Sequence, residues 1–92
     1  MRAQDVADKR FQPTMFRKGY SQDDVDDLLD RVQATFAAAE QGDRPATGAR
    51  TMTPEDVAAS RFRRSRMQPG YDCDEVDDFL DEVVVALRAL GR

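Results

Sequence analysis

Apolar residues recur at alternating spacings of four and three along two segments of the chain. The first stripe contains Val25, Leu29, Val32, Phe36 and Ala39, and the second contains Val76, Leu80, Val83, Leu87 and Leu90. This spacing is that of a coiled-coil seam, although two heptads also fit an ordinary amphipathic helix. Each segment is predicted to form a long helix, and the first four residues of each stripe are the predicted helix-pairing residues.

Both segments belong to a longer internal similarity at an offset of 51 residues. Residues 4–36 and 55–87 share 14 identities in 33 ungapped positions. The identities include the Gly-Tyr pairs at 19–20 and 70–71, which a biased composition would not supply. The chain is therefore predicted to contain two copies of one module.

Each copy has the pattern of a short helix, an irregular loop and a longer helix. In the second copy, Thr53 is a favourable N-cap and Pro54 suits the first helical position. Ser21 and Asp72 are favourable N-caps for the long helices. The acidic first turns that follow them complement the helix dipole.

Breaker residues and composition set the predicted boundaries. The short helices are expected to end near Phe11 and Phe62, and the first long helix at Gln41-Gly42. The segment after this helix has the composition of a linker, with Gly, Pro and small polar residues. The predicted domains are residues 1–40 for the first repeat, 41–52 for the linker and 53–92 for the second repeat.

A module of roughly 35 residues is too small to be stable without a disulfide, a metal or a partner surface. The predicted fold is therefore all-α, with two repeats whose long helices pair in a short parallel coiled-coil-like arrangement. The linker can reach back along the first long helix, which allows an intrachain pseudo-dimer. A homodimer of two chains is the alternative.

Composition narrows the classes of function. Charged residues make up 35% of the 92 residues, histidine is absent, and Cys73 is the single cysteine. The commonest general base and transition-metal ligand is therefore missing, and an intramolecular disulfide is excluded. The sequence contains no apolar run of membrane-spanning length and no signal-peptide pattern. We expect a cytoplasmic protein that is not an enzyme and has no metal or other cofactor.

The second copy carries the residues of a known family. It reads Thr-Pro-Glu-Asp-Val at 53–57 and Pro-Gly-Tyr-Asp-Cys-Asp-Glu-Val-Asp-Asp-Phe-Leu-Asp-Glu-Val at 69–83. This pattern resembles the N-terminal domain of the DivIVA family, and residues 5–29 of the first copy resemble it equally. The tandem form is similar to short DivIVA-repeat proteins of actinobacteria.

The resemblance implies a cytoplasmic scaffold at the inner face of the membrane, at poles or septa, that recruits division and cell-wall proteins. It also implies a parallel dimer of the domain with crossed loops. In this family, a hydrophobic residue followed by a basic one, just before Gly-Tyr, contacts lipid. The corresponding expected contacts with an anionic membrane or a partner are Met15, Phe16, Arg17, Lys18 and, in the second copy, Met67.

Two other functions fit the same residues. One is a protein–protein interaction module without lipid affinity, because the second copy has Gln68 where the family has a basic residue. The other is a nucleic-acid-associated regulator that uses the basic run at 61–66. These arginines equally suit pairing with aspartates of the neighbouring helix, and the net charge of -4 opposes binding to a polyanion. A nucleic-acid partner is therefore not expected.

Overall fold

The computed structural model of the protein describes residues 1–14, 19–41, 52–65 and 68–90. In chain order the elements are α1 (Ala3–Asp8), β1 (Pro13–Thr14), β2 (Gly19–Tyr20), α2 (Gln22–Glu40), α3 (Pro54–Ala58), β3 (Gly70–Asp72) and α4 (Cys73–Leu90). Most of the described residues are helical. The two long helices, α2 and α4, lie where the apolar stripes predict them.

Side chains satisfy the first backbone N–H groups of the helices. Ser21 Oγ accepts a hydrogen bond from Asp24 N at 3.4 Å, and Asp72 Oδ1 accepts one from the first turn of α4 at 2.9 Å. Thr53 Oγ1 accepts from Asp56 N at 3.0 Å, while the Asp56 carboxylate accepts from Thr53 N at 3.1 Å. This last pair is a capping box. The three predicted N-caps are therefore confirmed.

Both short helices end earlier than predicted. α1 ends at Asp8 and α3 at Ala58, about one turn before Phe11 and Phe62. The backbone at Lys9 is already extended, with φ -66° and ψ 132°. This extended path carries Phe11 away from α1 and onto aromatic rings of the second half of the chain.

A three-stranded antiparallel sheet corrects the predicted all-α class. The strand order is β1-β3-β2, so the strand from the second half lies between the two strands from the first half. The register places Thr14 opposite Gly70 and Tyr20 opposite Tyr71. The sequence predicted only loops here, because strands of two or three residues are too short for a readable alternation of apolar and polar positions.

One hydrophobic cluster contains buried side chains from both halves of the chain. All eight predicted helix-pairing residues belong to it, and four of them, all valines, have no exposed surface. Leu28 and Phe79 beside the stripes are also buried, so the buried face of each long helix is wider than a coiled-coil seam. The last stripe positions, Ala39 and Leu90, lie outside this buried set. The parallel coiled-coil-like pairing of the long helices stays a prediction.

Gly70 lies where two segments of backbone approach closely. A Cβ atom at this position would lie 2.5 Å from Ser65 Cβ and 2.8 Å from the Tyr20 carbonyl oxygen. At Gly19 the nearest atom to such a Cβ would be Thr14 Cγ2, at 3.0 Å. Gly70 therefore excludes a side chain more strictly than Gly19 does.

We expect Gly70→Ala to lower the free energy of unfolding by about 1–3 kcal/mol, since the added methyl group must displace β3 from its neighbours. Gly19→Ala is the matched control at the equivalent position of the first copy and should cost less. Urea unfolding followed by circular dichroism measures both. An alanine at Gly70 that is tolerated as well as one at Gly19 would contradict the close approach.

Candidate functional site

Two tyrosines lie opposite each other in the sheet, and each contacts the long helix of the other half. Tyr20 on β2 pairs with Tyr71 on β3. The Tyr20 hydroxyl donates to Asp77 Oδ1 on α4 at 2.9 Å, and the Tyr71 hydroxyl donates to Asp26 Oδ1 on α2 at 2.9 Å. Since Tyr20 and Tyr71 occupy equivalent positions of the two copies, as do Asp26 and Asp77, the two bonds are counterparts of each other.

Backbone hydrogen bonds around the sheet also run between the two halves of the chain in equivalent pairs. Ser21 N donates to the Arg63 carbonyl oxygen at 2.8 Å, and Asp72 N donates to the Gln12 carbonyl oxygen at 3.0 Å. Each long helix is therefore tied, at its N-cap residue, to the loop that follows the short helix of the other half.

The same two loop residues also donate to carboxylates. Gln12 N donates to Glu75 Oε1 at 3.0 Å, and Arg63 N donates to Asp24 Oδ2 at 2.9 Å. The Arg63 guanidinium adds an ion pair with Asp24 at 3.1 Å, and its hydrogen bonds hold the pKa of the Asp24 carboxyl below its usual value. The Arg63 side chain is 80% exposed, so the ion pair itself contributes little stability.

Aromatic rings make a further pair of equivalent contacts. The Phe11 ring lies 5.2 Å from the Tyr71 ring, and the Phe62 ring lies 5.0 Å from the Tyr20 ring, each tilted by 50°. Phe11 also packs against the edge of Phe79, with 5.9 Å between the ring centroids. Aromatic pairs of this kind contribute about 0.5–1.5 kcal/mol beyond their buried area.

Apart from the Phe11–Phe79 contact and the Arg63–Asp24 ion pair, these contacts occur as equivalent pairs. When two residues make such a contact, the residues at the equivalent positions of the other copy make the same kind of contact. A two-fold, isologous interface has this property. The Tyr20–Tyr71 pair is converted into itself, so it marks the centre of the interface.

Outside the described residues lie the predicted membrane or partner contacts Met15, Phe16, Arg17, Lys18 and Met67. The neighbouring residues Thr14 and Gly19 belong to β1 and β2, which both pair with β3. The lipid and partner contacts stay predictions. Most of the predicted linker also falls outside the described residues, at positions 42–51.

Cys73 carries the single thiol of the chain and is partly buried. Burial raises the pKa of this thiol, which reduces the fraction of reactive thiolate at neutral pH. In the part of the chain that the structure describes, no three His, Cys, Asp or Glu side chains are grouped so that they could hold a metal ion. The helices of the described residues include none with the length and apolar content needed to cross a bilayer.

A comparison with protein-family models matched residues 52–92 to the family described as DivIVA protein. The matched segment, which is less than half of the chain, is similar to the DivIVA family. The match confirms the resemblance of the second copy to this family, and the matched residues include α3, β3 and α4. Comparisons with curated proteins and with solved structures gave no match.

The crossed tyrosine–aspartate bonds were not predicted from the sequence. From the sequence, the acidic first turns of the long helices are assigned to the helix dipole, and Asp26 and Asp77 are both exposed. The sequence signal for these bonds is that the tyrosine and the aspartate of the following helix are the same in both copies. This identity does not show that the tyrosine of one copy bonds to the aspartate of the other, because that pairing depends on how the two halves dock.

Stability should fall at alkaline pH as the two tyrosines ionise. Burial, together with the hydrogen bond to Asp77, raises the pKa of Tyr20 from 10.0 to about 12. Burial and the hydrogen bond to Asp26 raise the pKa of Tyr71 in the same direction. The folded state therefore binds these protons more tightly than the unfolded state does. Their contribution is complete below the unfolded pKa of 10.0 and is lost as the pH rises through the folded pKa.

Urea unfolding from neutral pH to about pH 12 measures this dependence. A Tyr20→Phe, Tyr71→Phe double variant should show a flatter decline above the unfolded pKa than the parent protein does. Identical declines in the two proteins would mean that other groups cause the alkaline loss of stability.

Proposed function

We propose that the protein is a non-enzymatic scaffold or adaptor of the DivIVA type that acts in cell division or polar growth. The observation that carries this proposal is the family match over residues 52–92. DivIVA proteins are non-enzymatic scaffolds, generally cytoplasmic and membrane-associated. The chain would hold division or cell-wall proteins at the inner face of the cell membrane, at a pole or septum.

The proposal treats the chain as two DivIVA-like repeats folded into an intrachain pseudo-dimer. The support is that the two contacts of an equivalent pair both form within one chain, as Tyr20–Asp77 and Tyr71–Asp26 do. A single repeat is too small to bury a stable core by itself, and the hydrophobic cluster draws on both halves. In the alternative homodimer, the same contacts would form between two chains instead of within one.

Sedimentation equilibrium should give a monomer with a mass near 10.4 kDa. The physical reason is that the two-fold contact set is already complete within one chain. The measurement covers a wide range of protein concentrations, because a weak dimer dissociates on dilution. A mass of twice this value that persists at the lowest concentration would overturn the pseudo-dimer and favour the homodimer.

The proposed membrane contact rests on Phe16 and Arg17, which lie outside the described residues. A basic residue near an anionic surface contributes about 1 kcal/mol, and a phenylalanine removed from water contributes roughly 1.5–3 kcal/mol. One such loop therefore gives weak and reversible binding, which becomes significant only where several copies act together.

A Phe16→Ala, Arg17→Ala variant should lose most of its co-sedimentation with anionic phosphatidylglycerol vesicles. Met67→Ala, Gln68→Ala alters the equivalent positions of the second copy, which lack the basic side chain, and should change binding much less. If the first variant pellets like the parent protein, the lipid contact is elsewhere or absent. Thermal unfolding of each variant verifies that the fold is retained.

The second candidate function is a protein–protein adaptor without lipid affinity. It is favoured by the second copy, where Met67-Gln68-Pro69 precedes Gly70 and supplies no basic residue. A nucleic-acid regulator is less well supported, because Arg63 in the basic run is engaged by Asp24 and the net charge is -4.

A further inference from the structure

An open groove of about 730 Å³ lies between α1 and the outer face of α4. Its apolar surface includes Met1, Val85 and Ala89, and its rim carries the carboxylates of Asp5, Asp81 and Glu82. Met1 is 41% exposed and Val85 is 69% exposed. We call this surface the α1–α4 groove.

Folding does not explain the exposed valine. Val85 is β-branched, which makes it a poorer helix former than alanine by roughly half a kcal/mol, and its exposed side chain recovers little of this by burial. The equivalent position on α2 is Ala34, which has the better helix propensity. The valine therefore lowers the intrinsic stability of α4 without adding much to the core.

The corresponding surface on α2 differs in its charge and in the packing of the methionine beside it. Asp81 has an acidic counterpart in Asp30, but Glu82 has Arg31 as its counterpart on α2, so a basic side chain interrupts the acidic rim there. Met52, the counterpart of Met1, packs against the hydrophobic cluster, and its backbone N–H donates to Thr35 Oγ1 at 2.9 Å. The apolar, acid-rimmed groove is therefore a property of the α4 side.

The rim carboxylates are available for a partner. Among the described residues, neither Asp81 nor Glu82 is engaged in a hydrogen bond or ion pair, while Asp5 accepts a bond from Arg2 N at 2.9 Å. On the other side of Val85, the neighbouring groove is lined by Arg61 and Arg64 together with Asp77 and Asp81. The charged residues that line the α1–α4 groove are all acidic, so cations are favoured there.

We propose that the α1–α4 groove docks a basic amphipathic helix of a partner protein. This inference rests on the proposed adaptor function and names the chemistry of one partner. An apolar helix face would cover Met1, Val85 and Ala89, and its Lys or Arg residues would meet the acidic rim. The α4 surface from residue 79 to 89 is roughly 15 Å long, which suits a helix of about three turns.

The probe is a fluorescein-labelled helical peptide of about fourteen residues, built from Leu and Lys at amphipathic spacing. Its twin has Glu in place of Lys. Fluorescence anisotropy should show saturable binding of the Leu–Lys peptide and none of the Leu–Glu peptide. Val85→Ser should weaken binding about tenfold, and Asp81→Lys by at least as much.

Each variant has a matched control at the equivalent position of the first copy, namely Ala34→Ser and Asp30→Lys. Each control introduces the same residue as its test variant but outside the groove, and Asp30→Lys also makes the same change of net charge as Asp81→Lys. Both controls should bind the peptide like the parent protein. Equal weakening by Asp81→Lys and Asp30→Lys would mean general electrostatic attraction and would overturn the proposal. So would binding of the Leu–Glu peptide, or no saturable binding of the Leu–Lys peptide.

Fluorescent fusions in dividing bacteria separate this inference from the function on which it rests. A parent fusion without polar or septal enrichment counts against the scaffold function itself. A parent fusion that is enriched, combined with a Val85→Ser variant that binds the peptide normally, counts against the groove alone. Anionic vesicles provide the remaining comparison, since vesicle binding weakened by Val85→Ser would assign this surface to lipid.

Discussion

The antiparallel pairing of Tyr20 with Tyr71 is the constraint on which the other contacts of this protein depend. It places β3 from the second half between the two strands of the first half. From this position each tyrosine reaches an aspartate on the opposite long helix, and each loop phenylalanine reaches the opposite tyrosine. If the pairing shifted by one residue, the tyrosine side chains would point to the other face of the sheet and these contacts would be lost.

Apolar burial and polar contacts have different roles in this arrangement. A fully buried Val, Leu or Phe side chain contributes about 1.5–3 kcal/mol, whereas an exposed ion pair such as Arg63–Asp24 is screened by solvent and contributes little. The shared cluster of valines, leucines and phenylalanines therefore supplies most of the stability. The hydrogen bonds of Tyr20, Tyr71 and the loop residues fix the orientation of one half relative to the other, because apolar burial alone has no direction.

An interface closed within one chain leaves the two halves free to differ on their outer surfaces. The residues that meet at the centre, such as Tyr20 and Tyr71, are identical in the two copies, whereas the outer positions of α2 and α4 differ. Ala34 and Val85 occupy equivalent positions with different side chains, and so do Arg31 and Glu82. In a symmetric dimer of identical chains both outer surfaces would be the same. The proposed intrachain pseudo-dimer therefore allows one chain to present two unlike surfaces.

The sequence by itself determined the long helices, their N-caps and the apolar stripes through which these helices contribute to the core. These features follow from local spacing and capping chemistry, which can be read along one segment at a time. Only the tertiary structure decided the small sheet, the early ends of the short helices and the crossed bonds of Tyr20 and Tyr71. Those features arise where residues distant in the chain meet, and a strand of two residues or an exposed aspartate carries no local pattern that identifies its partner.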